Sequence, residues 1–155
     1  MSEDSASAAA STQDSSFLSS APLSPEAKKM FDGDIEGMGY VANVSRLWAH
    51  LPAALNDIAD LMGRTVDAGG LSPTQRAVLV TATASTLGDS YCSMAWGKRL
   101  ASETSPHVAA AVVDGELDGL EPAERALARW AQLVTRNPNA ITVDDVQALR
   151  NAGYD

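Results

Sequence analysis

Cysteine occurs once in these 155 residues, at Cys92. A lone thiol excludes an intramolecular disulfide and any cysteine-built zinc cage. Histidine occurs twice, as His50 and His107, far apart in the chain. No histidine-built metal site is expected from so few ligands, and no metal or other cofactor is called for. Basic residues number 11 against 20 acidic ones, a net charge of −9. Without a basic face, nucleic acid is not an expected partner. No stretch reaches the ~20 apolar residues that cross a bilayer. The N-terminus lacks the basic start and apolar run of a signal peptide. These absences describe a soluble, cytoplasmic protein with no membrane partner.

Much of what is present is helical. Residues 1–24 are rich in Ser and Ala and carry Glu3, Asp4 and Asp14 but no Lys or Arg. Such a segment buries too little apolar surface to order itself and is expected to be a disordered tail. Residues 25–155 form the remaining domain. Ser24-Pro25 caps and opens a short helix through Met30 and Phe31. Asp32 to Gly39 holds three glycines and reads as a loop. Val41, Val44, Leu47 and Trp48 share one face of a second helix that stops before Pro52. Leu55, Ile58, Ala59, Met62 and Val66 follow at helical spacing until Gly69-Gly70.

Ser72-Pro73-Thr74-Gln75 is a capping box with proline at the first helical position. The run behind it, Ala77 to Leu87, has almost no polar face and predicts a helix buried on most sides. Another helix covers Ser90 to Ser102. Ser105-Pro106 opens one that ends near Gly115, and Pro122 opens a long one with Leu127, Trp130 and Leu133 on its apolar face. Thr142 with Asp145 three residues on starts a last helix, Val143 to Asn151, and Gly153 reads as its left-handed end. Asp155 stands where the next helix would be capped, so a further element is expected beyond it. The fold class is all-α.

One stretch concentrates the chemistry: Gly88-Asp89-Ser90-Tyr91-Cys92-Ser93-Met94-Ala95-Trp96-Gly97. Gly88 ends one helix and Asp89 caps the next, which puts Cys92 near the third helical position. Free backbone N–H groups and the positive helix end favour a thiolate there. A carboxylate one turn away at Asp89 opposes it. Trp96, four residues on, can cover the sulfur.

Leu71 to Trp96 resembles the helix pair of the carboxymuconolactone decarboxylase and alkylhydroperoxidase D superfamily. The wider stretch Phe31 to Tyr154 is similar to its peroxidase-related members. The early match is Gly39-Tyr40-Val41-Ala42-Asn43 and Arg46-Leu47-Trp48-Ala49-His50, ending in Pro52. The later match is Leu120 to Ala131, Asn137-Pro138 and Val146 to Tyr154. The resemblance implies a helical bundle assembled as a homo-oligomer, a trimer or hexamer, with a helix following the Ala152-Gly153-Tyr154 segment.

The resemblance also implies an active-site pattern: Cys-x-x-Cys, His four residues later and Glu twelve before the first Cys. On this chain the second Cys is Cys92, the first falls on Asp89, the His on Trp96 and the Glu on Ala77. In such peroxidases the later Cys attacks the peroxide, the earlier one resolves it, and Glu and His move protons. The implied function is a peroxiredoxin-type hydroperoxide reductase working through Cys92 alone, with a small-molecule peroxide as substrate and an external thiol as reductant. Two alternatives stand beside it. One is a non-catalytic oligomeric scaffold or binding protein; the other is a decarboxylase-like enzyme on a small cyclic acid. Cys92 is either a peroxidatic thiol or a small inert residue. Asp89 is a helix cap or a base for Cys92. Trp96 is core, interface or a platform for an aromatic substrate. Tyr91 either donates a hydrogen bond into the site or caps the helix pair. His50 reads as a helix-end residue satisfied by carbonyls, His107 as exposed, and Lys98-Arg99 as a solvated face.

Overall fold

The computed structural model describes residues 19–154, so residues 1–18 of the expected disordered tail, 1–24, and the capping role of Asp155 lie outside the described residues. Eight α-helices follow in order: α1 Pro25–Met38, α2 Asn43–Trp48, α3 Pro52–Gly69, α4 Pro73–Leu87, α5 Ser90–Glu103, α6 Pro106–Val113, α7 Pro122–Arg136 and α8 Val143–Asn151. A short 3₁₀ turn, Pro138–Ala140, joins α7 to α8. No strand occurs among the described residues. The all-α class is therefore observed. No helix among them is long and apolar enough to cross a membrane.

Side-chain caps set most of the helix starts. Ser24, Ser72, Ser105 and Thr142 each accept a backbone N–H from the third residue on, satisfying a donor the helix leaves free. Both expected capping boxes are present, Ser72 with Gln75 and Thr142 with Asp145. Gly153, at φ 95°, takes the left-handed turn that ends α8.

One boundary differs clearly. The expected loop over 32–39 is instead the second half of α1. Gly33 and Gly37 each cost helix propensity, but propensity is a weak prior. The Lys28–Asp32 ion pair, four residues apart at 2.6 Å, ties the first turns to the part in question. The Asp34 carboxylate accepts the Ala42 N–H at 3.0 Å and holds the following turn. The helix stops only at Gly39, with φ 81°.

The described residues form two compact units that divide after Gly63. In the first, α1 packs on α2. Ala27, Ala42, Ser45 and Ala49 are its buried residues. None of the residues of α3 is buried.

The second unit is built on α4, which packs against α5, α6 and α7. Its core joins Ala77, Val78 and Ala82 of α4 to Leu100 of α5, Ala109 and Val112 of α6, and Ala128 and Ala131 of α7. Alanine at so many of these positions lets helix axes approach closely, and the few larger side chains fill what remains. Leu100, Val78 and Val112 are fully buried; each such side chain contributes roughly 1.5–3 kcal/mol by leaving water. Gly97 marks the closest approach: a Cβ there would meet Val113 Cγ2 at 3.0 Å. A larger residue at 97 would therefore push Val113 aside and shift α5 against α6, with the residues α5 carries.

Candidate functional site around Cys92 and Trp96

The site lies in the second unit, where α4 and α5 pack side by side. Gly88, at φ 73°, ends α4 in the left-handed region, and Asp89 opens α5. The Asp89 carboxylate accepts the Cys92 N–H at 3.0 Å. The expected capping role of Asp89 is what the structure shows. That bond holds the Asp89 carboxyl below its ordinary range, with the Cys92 N–H as the main cause. Asp89 is thus a charged cap and a poor base.

The thiol responds in the opposite direction. Cys92 is half-buried, and burial pushes its pKa up from the ordinary 9.0, followed by the hydrogen bond and the negative charge of Asp89. At this position the helix dipole favours a thiolate and the carboxylate opposes it. The carboxylate and burial win, because Asp89 already occupies the Cys92 N–H that would steady a thiolate.

Cys92, Trp96 and Arg99 fall at i, i+4 and i+7, one stripe along α5. Trp96 is half-buried and packs against the core cluster. Two guanidiniums lie over its ring: Arg76 of α4 at 5.2 Å from the centroid and Arg99 of α5 at 5.7 Å. Each contact of this type stabilises by roughly 0.5–1 kcal/mol at exposed positions. Arg99, expected on a solvated face, is exposed but stacks its head on Trp96. Arg76 carries no motif of its own in the sequence. Its signal was its place beside Ala77, where the resemblance puts a glutamate.

Ala77 itself is fully buried in the core. No proton-carrying group stands at that position, nor at Trp96. Tyr91 is exposed at 48 % on the first turn of α5. His107 is exposed at the start of α6. His50, in the first unit, pairs its Nε2 with a carbonyl as expected, but the carbonyl is that of Ser19 at 3.1 Å rather than one at a helix end.

Among the described residues, the buried side-chain oxygens Thr81 Oγ1 and Tyr154 Oη have no hydrogen-bond partner. Burial raises the Tyr154 pKa from its ordinary 10.0, the charge of Glu124 adds to it, and Gln75 acts weakly the other way.

No family model and no curated protein matches the chain. A solved structure does: an uncharacterized peroxidase-related protein from Silicibacter sp. TM1040. The TM-score is 0.74 at 24 % identity, over 86 % of this chain and 72 % of that one. The two share a fold. At this identity the likeness carries no residue roles, so the reading of the site rests on its own geometry.

Proposed function

We propose that this chain is a non-catalytic, peroxidase-related helical protein that keeps the bundle as an oligomeric binding scaffold. The observation that carries this reading is the Asp89 carboxylate bonded to the Cys92 N–H at 3.0 Å. It spends the α5 N-terminus on a cap and places a negative charge beside the thiol. Peroxide reduction needs a thiolate, a thiol from the chain or from outside to resolve the sulfenic acid, and a proton path. Here the thiol is held protonated, no second cysteine exists in the sequence, and Ala77 and Trp96 cannot relay protons. Self-association, as a trimer or hexamer, belongs to the same proposal. It is supported by the exposed apolar side chains of Ile58 and Met62 on α3, a helix with no buried residue.

The deciding experiment is sulfenic-acid trapping. The purified protein is treated with hydrogen peroxide and dimedone at pH 7, folded and in denaturant. The scaffold reading expects little adduct on the folded chain and no peroxidase turnover with a dithiol reductant. Rapid adduct formation with turnover abolished by Cys92→Ser overturns it.

A second reading is favoured by Cys92 being half-buried rather than sealed. It is a one-cysteine hydroperoxide reductase. The Cys92 sulfur would attack the terminal peroxide oxygen, forming the S–O bond of a sulfenic acid as O–O breaks and the alkoxide leaves with a proton. Two equivalents of an external thiol would return the sulfur to thiol and release water, themselves oxidised to a disulfide. The same trapping experiment separates the two readings.

A further inference from the structure

We propose that Arg76, Trp96 and Arg99 form a binding site for a compact organic oxyanion, a carboxylate or phosphate group gripped by both guanidiniums. The inference deepens the scaffold reading by naming the class of ligand.

Three observations support it. First, both guanidinium carbons sit over one indole ring, at 5.2 and 5.7 Å from its centroid. A guanidinium attracted to a ring by its charge keeps N–H groups free, and these form the fork that meets carboxylate or phosphate. Second, neither arginine has an ion pair or side-chain hydrogen bond among the described residues, in a chain with 20 acids to 11 bases. Two positive charges lie against one aromatic ring with no carboxylate at ion-pair distance, and an anion at the ring would neutralise them. Third, the mount is rigid. Arg76 is half-buried and adjoins fully buried Ala77 behind the Ser72–Gln75 capping box. Trp96 packs on the core, and the neighbouring Gly97 fits against Val113. Arg76, half-buried on this mount, has less side-chain freedom to lose when an anion arrives, while Arg99 is exposed and adds its charge.

Two acids belong to α5 and its cap: Asp89, engaged by the Cys92 N–H, and Glu103, exposed one turn beyond Arg99 and making no ion pair with it. Lys98 lies beside the stripe, exposed. It adds general positive charge but does not stack on Trp96, which makes it the natural control.

Isothermal titration calorimetry of the full chain with phenyl phosphate, benzoate and inorganic phosphate tests the site. At least one probe is expected to bind saturably, with affinity reduced about tenfold or more in Arg76→Gln and in Arg99→Gln, the loss of a charge-assisted hydrogen bond. Lys98→Gln is expected to bind as the parent does. Preference for phenyl phosphate assigns a phosphate ligand, and preference for benzoate a carboxylate. Circular dichroism of each variant confirms that it is folded. No saturable binding of any probe overturns the proposal, and so does equal weakening by Lys98→Gln, which would mark diffuse charge attraction. The outcome is separable from that of the scaffold reading. Trapping reports on Cys92 alone, whereas calorimetry reports on the arginines.

Discussion

The Asp89 carboxylate and the Cys92 thiol are set against each other: the first is held charged by the Cys92 N–H, and the second is kept protonated by burial and by Asp89. Relaxing this opposition should move the thiol in a readable direction. Asp89→Asn keeps an oxygen to cap α5 but removes the charge. The Cys92 pKa is expected to fall, with iodoacetamide alkylation at pH 7.5 several-fold faster. An unchanged or slower rate in the folded variant would refute the assigned cause.

Stability should decline at both ends of the pH scale. Asp89, Asp145 and Glu26 have carboxyl pKa values lowered in the folded state by hydrogen bonds to their own helix starts. A lowered carboxyl adds stability that is present above the unfolded value, near 4, and lost as pH falls through the folded one. Cys92 and Tyr154 are shifted the other way, up from 9.0 and 10.0. Their share is present below those values and lost as pH rises through the folded ones. Thermal midpoints measured from pH 3 to 11 are expected to be flat between about 5 and 8 and to fall on either side. In Cys92→Ser the alkaline fall is expected to be shallower.

Thr81 Oγ1 is fully buried without a partner, while Thr83 and Thr86 bond the carbonyls of Leu79 and Ala82. Thr81→Val keeps the shape and removes the orphaned hydroxyl. It is expected to stabilise by about 1 kcal/mol in urea denaturation. A loss of stability would show that the hydroxyl has a partner in solution.

Gly119 adopts φ 78°, and a Cβ there would meet Val108 Cγ2 at 2.9 Å. Gly119→Ala combines left-handed strain with a clash against a core-packed side chain. It is expected to cost about 2 kcal/mol or more in the same assay.

The apolar face of α3 makes self-association testable on its own. Ile58→Lys and Met62→Lys change exposed side chains and should leave circular dichroism unaltered. Light scattering is expected to show a smaller particle for the double variant than for the parent. An identical mass in both would place the contact elsewhere.

The helix starts were legible in the sequence because each is written in adjacent residues. Val143–Asn151 follows from Thr142 and Asp145, and Pro73–Leu87 from Ser72 and Gln75. The second half of α1 was not legible. Its glycines argue locally for a loop, while the Asp34–Ala42 bond that holds the following turn spans eight residues. At the site, Cys92, Asp89 and Trp96 were visible as a spacing along one helix. The pairing of Arg76 with Trp96 was not, since it depends on the packing of α4 against α5, which no local pattern encodes.

The single thiol also makes the protein its own stability gauge. Every alkylation event reports one known place, the first turn of α5. Because folding raises the Cys92 pKa, an opened α5 reacts faster than a closed one on two counts, access and acidity. Pulsed labelling at increasing urea would therefore chart how readily α5 comes away from α4, against which ligand, pH or partner could each be weighed.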